Sequence, residues 1–262
     1  MSIKASLLIS TYNWPQALDL TLKSVLQQAV MPFEILIADD GSTKETEDII
    51  KKYQSLFTIP LKHFWQEDKG FRKTIILNTA IKNAEGNYII QIDGDIILHP
   101  YFIADHLRYC LSVYFIKGSR GRLTKEKSES IFQSKNIHLH SLMWGVQSRI
   151  NSTRCKLLCP LFFGNPTKTD DLRGCNFSFW KKDFIAVNGY NNDLHGWGHE
   201  DIELAARLVN VGINRRQLKM AAVCFHIHHE LSSKNREDYN LKVYKEVVEK
   251  KLIRCDNGID QV

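Results

Sequence analysis

Along the first hundred residues, short apolar runs alternate with stretches whose apolar positions recur at helical spacing. The runs at 5–10, 34–38, 61–64 and 88–92 predict strands, and the segments 15–28, 44–53 and 73–83 between them predict helices. Pro15 suits a helix's first turn, where its missing N–H costs nothing, and Gly86 falls just past a helix end. Strand and helix in alternation describe βαβ units, which build a largely parallel sheet with helices on both faces. From Lys117 to about Asp171 no period is sustained, so a loop-rich excursion with short helices is expected. Regular spacing returns with a strand at 176–180, a short helix at 182–187, a helix at 200–211, an apolar strand at 221–225 and a last helix from about 236 to 251. The expected class is α/β, a Rossmann-like nucleotide-binding sheet in a single domain over 1–262.

Composition narrows the alternatives. With 262 residues, 44% apolar and 24% charged, the chain can bury a substantial core and resembles neither a disordered segment nor a coiled coil. No apolar run approaches the roughly 18 residues that span a bilayer, and Met1-Ser2-Ile3-Lys4-Ala5 lacks a signal-peptide core, so a cytoplasmic location is expected. The six cysteines show no metal-knuckle spacing and are expected as reduced, mostly buried thiols. The net charge of +6 is modest, with cations gathered at 117–127 and 242–254. Such runs are either solvated faces or surfaces for phosphates or an anionic membrane; peripheral contact with the inner membrane face is one expectation. No nucleic-acid recognition motif interleaves with them.

In open α/β sheets ligands bind outside the carboxyl ends of the strands, so polar residues there carry weight. Three segments qualify: Ser10-Thr11-Tyr12-Asn13, Asp39-Asp40-Gly41-Ser42 and Asp93-Gly94-Asp95. The second reads as a turn in which Ser42 or Thr43 caps the helix at Lys44, but a carboxylate of Asp39 or Asp40 could also accept from a base or ribose. In the third, carboxylates two apart on an extended backbone project to one side, and Gly94 lets a ligand approach the main chain. Oxygen ligands of this kind suit magnesium or manganese shared with a diphosphate. Glu200 and Asp201, in "GWGHEDIEL", open a helix, where the dipole favours acids by about 0.3–1 kcal/mol.

The ordered segments "LLISTYNWPQALDLTLKSVLQQ", "EILIADDGSTKETEDII", "GFRKTIILNTAI" and "YIIQIDGDIILHP" resemble those of a family 2 glycosyltransferase of the GT-A fold. "RGCNFSFWKKDFIAVNGYNNDLHGWGHEDIELAARLVNVG" is similar to the acceptor region of chondroitin-polymerase-type and β-1,4-galactosyltransferases. The resemblance implies a nucleotide-sugar-binding half over 1–116 and an acceptor-binding half over 117–262 with a C-terminal helix. It also implies Thr11 and Tyr12 beside the base, Asp39 on the uracil ring, Asp93 and Asp95 near ribose and metal, and Arg72 and Asn78 along the diphosphate-sugar pocket. Asp201 would be the general base, its pKa lowered by the helix dipole, and Glu200 would hold acceptor or donor sugar. Trp197 would offer a face to a sugar ring or else be an ordinary core Trp, and His199 would shape the acceptor pocket. In "CFHIHHELSSKNRED" a histidine would complete the metal site, His228 first and His226 next, since alternation puts both on one side of an extended segment.

Two departures from the family pattern stand out. Leu77 precedes Asn78 where the family often has Arg, leaving Arg72 as the phosphate candidate, and His199 occupies a place usually held by Gly or Ala. The resulting expectation is an inverting, metal-dependent transfer of a hexose or N-acetylhexosamine from a UDP-sugar to a hydroxyl of a glycan or lipid-linked glycan, forming a β-linkage in bacterial surface-polysaccharide or lipopolysaccharide synthesis. A non-catalytic nucleotide-sugar or glycan-binding module is the alternative, since it would not need Asp201. A sugar-phosphate nucleotidyltransferase fits less well, because no glycine-rich phosphate loop follows the first strand.

Overall fold

The predicted alternation is realised in a computed structural model that describes residues 2–196, 198–230 and 237–262. β1 (Ala5–Thr11), α1 (Pro15–Val25), β2 (Glu34–Asp39), α2 (Lys44–Gln54), β3 (Leu61–Trp65), α3 (Lys73–Lys82) and β4 (Tyr88–Asp93) follow in the expected order. β1 pairs in parallel with β2 and β4, and β2 with β3. Every residue of β1 and β2 is buried, the continuous pattern of parallel strands covered on both faces. Gly86 sits where a Cβ would lie 2.2 Å from the Ser6 hydroxyl, so its role is close passage beside β1. Thr43 does occupy the cap position of α2, although its side chain makes no capping bond to the helix.

Next come β5 (Ile96–Leu98), α4 (Phe102–Tyr109), β6 (Tyr114–Lys117), β7 (Arg120–Leu123), α5 (Lys125–Ser134), β8 (Val146–Gln147) and α6 (Arg149–Ser152). They are followed by β9 (Phe177–Trp180), α7 (Lys181–Ala186), α8 (Glu200–Asn210), β10 (Asn214–Gln217), β11 (Cys224–His226) and α9 (Glu237–Glu249). The main sheet has the order β10-β6-β9-β4-β1-β2-β3, with β9 antiparallel to both β4 and β6. The chain's second half therefore inserts a strand into the sheet begun by the first. A smaller sheet, β5-β11-β7-β8, lies beside it.

The segment from Lys117 to Asp171 is more regular than its pattern indicates. α5 is capped by Thr124, whose hydroxyl accepts from the Lys127 N–H, but it buries little beyond Ser128 and Ile131 and so leaves no apolar period. β10 reads Asn-Arg-Arg-Gln and lies at a sheet edge, where apolar alternation is not required. The apolar run at 221–225 is extended only from Cys224, because Met220 and Ala222 take left-handed backbone angles (φ 61° and 49°). Ala221, Ala222 and Val223 are fully buried, so that run reported burial and not extension. Among the described residues no helix is long and apolar enough to cross a membrane, and all six cysteines are free thiols.

α8 is anchored from within the core. Arg207 and Glu203, both fully buried, form a bidentate pair at 2.8 and 2.6 Å, and a third guanidinium N–H donates to the Val187 carbonyl at the end of α7. Removing one partner leaves an uncompensated buried charge, which costs about 3–5 kcal/mol. Arg207→Met is accordingly expected to lower unfolding stability by about that amount in urea titrations, and Arg207→Met with Glu203→Leu to recover most of the loss.

Candidate active site

The carboxyl ends of β1, β2 and β4 finish level, with Ser10 in register with Asp93 and Thr11 with Asp39. Beyond them opens a cavity of about 730 Å³ whose wall includes Thr11, Tyr12, Asp40, Asp93, Glu200 and Asp201. Gly94 also lines it. Its N–H donates to the Ser10 carbonyl at 2.7 Å, and a Cβ there would stand 3.0 Å from that oxygen and 3.1 Å from the Thr11 hydroxyl. The glycine thus permits the tight crossing of β1 that turns Asp93 and Asp95 toward the cavity.

Asp93 accepts from the Ser10 hydroxyl at 2.8 Å and from the Lys73 ammonium at 2.7 Å. Burial would raise its pKa, but Lys73 outweighs burial and holds the carboxyl below the usual range. Burial likewise works against the Lys73 charge, yet Asp93, Asp201 and Glu200 together raise its pKa. Lys73 is a site residue that sequence reasoning missed. It follows Arg72 directly, and nothing in the pattern says which of two adjacent cations turns inward. Arg72 is the N-cap of α3; its side chain donates to the Glu67 carbonyl, its backbone N–H donates to Asp40 at 2.8 Å, and it does not line the cavity.

Pairing of β5 with β11 sets Ile96 opposite His226, and the Ile227 N–H donates to the Asp95 carbonyl at 3.0 Å. Asp95 Oδ2 then lies 3.5 Å from His226 Nε2 and 3.3 Å from His229 Nε2, and the three side chains offer ligand atoms within 4.8 Å of one another. His229, not His228, joins this cluster. β11 ends at His226, the chain leaves strict alternation, and His228 becomes an exposed residue whose N–H donates to Ser128 Oγ at 2.9 Å. Burial and the neighbouring Asp93 push the Asp95 pKa up to about 7, while burial and the charge of Arg120 push His226 down to about 4. Asp95 Oδ1 is buried without a hydrogen-bond partner. A carboxylate with an orphaned oxygen beside two imidazoles fits a divalent cation, which would favour the ionised acid and the neutral rings.

Asp201 and Glu200 reach the cavity from the first turn of α8, entered through His199 in a left-handed conformation (φ 72°). His199 lines the cavity too. Asp201 Oδ2 accepts from the Gly174 N–H at 2.7 Å and Oδ1 from the Tyr190 hydroxyl at 3.3 Å. A Cβ on Gly174 would come within 2.5 Å of Asp201 Oδ1, so glycine at this position preserves the carboxylate's seat. The expected lowering of the Asp201 pKa by the helix dipole is reversed. Burial dominates, and Asp93 adds to it, so that the pKa is raised despite Lys73. Glu200, pushed up to about 7 by burial and Asp201, has a buried Oε2 without a hydrogen-bond partner.

Two further candidates lie behind the wall. Asp39 is 1% exposed, and its oxygens are taken by the Ser42 N–H at 2.8 Å and by His63 Nε2 at 2.9 Å. Asn78 is fully buried; its amide donates to the Tyr190 carbonyl and to Asn192, and its oxygen accepts from the Tyr190 N–H. It seats the tyrosine that holds Asp201 and has no surface on the cavity. Asp40 lines the cavity while accepting from Gln66 and the Arg72 backbone, and burial raises its pKa. Tyr12, half exposed, donates to Asp68 at 2.8 Å. Trp197 lies outside the described residues.

Residues 6–156 match the family described as Glycosyl transferase family 2, and residues 162–230 match one described as N-terminal domain of galactosyltransferase. The chain is 24% identical over 245 residues to a chondroitin synthase of Escherichia coli, covering 84% of this chain and 34% of that one. It is 28% identical over 234 residues to validoxylamine A glucosyltransferase of Streptomyces hygroscopicus subsp. limoneus, covering 79% of this chain and 48% of that one. It thus spans between about a third and about half the length of these two relatives. Among solved structures, mannosyltransferase PcManGT from Pyrobaculum calidifontis in complex with GDP-Man and Mn2+ superposes with a TM-score of 0.66 at 15% identity, over 95% of this chain and 65% of that one. GalNAc-T7 with UDP, GalNAc and Mn2+ gives 0.62 at 18% identity, over 94% and 48%. The shared architecture is the GT-A glycosyltransferase fold.

The histidine geometry has a direct consequence for metal affinity. His226→Ala and His229→Ala are each expected to weaken manganese binding by roughly tenfold or more, and His228→Ala by less than about twofold, as read by titration calorimetry.

Proposed function

Because the chain belongs to glycosyl transferase family 2, we propose that its cavity transfers a hexose or N-acetylhexosamine from a UDP-sugar to a hydroxyl of a glycan acceptor, with inversion and so a β-linkage. The observation that carries this reading is one cavity lined by the half-buried Asp201 carboxylate together with Lys73, Asp93, Asp95, His226 and His229. Nucleotide binding falls to the β1 and β2 ends, with Thr11, Tyr12 and Asp40 on the cavity wall. Asp39 supports that rim from beneath, through Ser42 and His63.

Asp201 takes the acceptor hydroxyl's proton as the oxygen attacks the anomeric carbon. A raised pKa suits that task, since a base with more affinity for the proton is a stronger acceptor once ionised. The Gly174 N–H and Tyr190 hydroxyl keep both carboxylate oxygens oriented while the proton moves. Lys73, its charge held by three acids, stands beside Asp93 where negative charge grows on the departing diphosphate. Asp95, His226 and His229 would hold a manganese or magnesium ion, which when bound supplies electrostatic stabilisation of that leaving group. Glu200, on the cavity wall, is placed to hold the acceptor or donor sugar. The implied setting is synthesis of a bacterial surface polysaccharide or lipopolysaccharide.

In a thermal-shift panel of UDP, GDP, CDP and dTDP, UDP is expected to raise the melting temperature with manganese or magnesium present and to lose that effect with chelator. Stabilisation by another nucleotide alone would overturn the UDP assignment. Asp201→Asn is expected to lower turnover by on the order of 10²–10⁴ while UDP affinity stays within about threefold. A loss of only about twofold would return Asp201 to a structural role at the helix terminus.

A further inference from the structure

Lys117, Arg120 and Arg122 of the cationic run at 117–127, which the proposed reaction leaves unused, line a second cavity of about 360 Å³. Strand alternation along β7 sends Arg120 and Arg122 to one face. The other face is closed, because a Cβ on the intervening Gly121 would lie 2.1 Å from Ser152 Oγ. Lys117 from the end of β6, Lys219 from beyond β10 and Arg173 complete a wall of five cations. Asp171, the acid on this wall, is already held by Lys117 at 2.8 Å and by Arg215. Among the described residues neither Arg122 nor Arg173 is joined to a carboxylate, and both are exposed.

The position of this cavity says which substrate it would meet. Arg120, Arg173 and Cys175 line both cavities, so the basic one adjoins the larger one. In the main sheet, β6 and β10 lie on the far side of β4 from β1 and β2, whose ends carry Tyr12 and Asp40. On the reading above, a nucleotide at Tyr12 and Asp40 would bring its sugar toward Asp93 and Asp201. The basic cavity lies past that point in the strand order, on the side left for the group that receives the sugar.

Resting on the reading above, we propose that the basic cavity seats an anionic group of the acceptor, a carboxylate, sulfate or phosphate carried on a sugar, and so selects acidic glycans. Guanidinium forks pair with such oxyanions in two parallel hydrogen bonds, and converging cations in a walled pocket raise the local potential for them. A neutral acceptor would leave Arg122 and Arg173 without an anionic partner, so the same wall discriminates against it.

The test uses wild-type protein saturated with UDP and manganese, and measures by titration calorimetry the binding of β-linked disaccharides ending in glucuronate, a 6-sulfated hexose or a 6-phosphorylated hexose, each beside its neutral parent. At least one acidic sugar is expected to bind about tenfold or more tighter than its parent, with the preference shrinking as salt is raised. Arg122→Gln with Lys219→Gln is expected to bring acidic and neutral sugars within about twofold of each other, and Arg122→Lys to retain part of the preference. The inference is overturned if no acidic sugar outbinds its parent, or if the preference survives in the double variant. It is equally overturned if the double variant weakens UDP and leaves the sugars unaffected, which would give the cavity to the donor diphosphate. Either failure with UDP binding intact leaves the donor-site reading standing; a wild-type protein that binds no UDP removes both.

Discussion

Asp93, Asp95, Glu200 and Asp201 bring four carboxylates to one sheltered cavity, where water screens them poorly and each makes ionisation of the next more costly. The consequences divide by neighbour. Asp93, beside the Lys73 ammonium, is held below the ordinary carboxylate range, whereas Asp95 and Glu200 rise to about 7. A site built this way calls for positive charge, and the chemistry of glycosyl transfer from a diphosphate uses cations at the leaving group. Burial and the same crowding raise the pKa of Asp201 despite Lys73.

Such a cavity requires rigid supports, and many of the polar residues around it supply them. Asn78 bonds both the N–H and the carbonyl of Tyr190, Tyr190 donates to Asp201, and Gly174 donates to the same carboxylate. Arg207 and Glu203 tie α8 to the end of α7, so the helix that carries the two acids is clamped away from the site as well as at it. Satisfied buried networks of this kind restrict the side chains to one arrangement, at the risk of a large penalty when one member is lost.

Topology makes the separate pieces one site. β9 lies between β4 and β6, and the turn before it delivers Gly174 and Cys175 to the cavity. The small sheet pairs β5 with β11 and so joins Asp95 to histidines more than a hundred residues away in sequence. The larger and the basic cavities meet at Arg120, Arg173 and Cys175.

The sequence by itself determined the parallel half of the sheet, because buried strands impose continuous apolar runs and covering helices impose a 3.6-residue period that local pattern exposes. It also marked Thr11, Tyr12, Asp40, Asp93, Gly94, Asp95, Glu200 and Asp201, since their positions at strand ends and a helix start are local facts. Tertiary structure alone decided between Lys73 and Arg72, between His229 and His228, and whether Asn78 and Asp39 face the cavity or brace it. Those choices depend on where a chain leaves regular geometry and on which distant backbone groups need a partner. It likewise decided the sign of the Asp201 shift, because a helix terminus is visible in sequence while the depth at which it is buried is a property of everything packed around it.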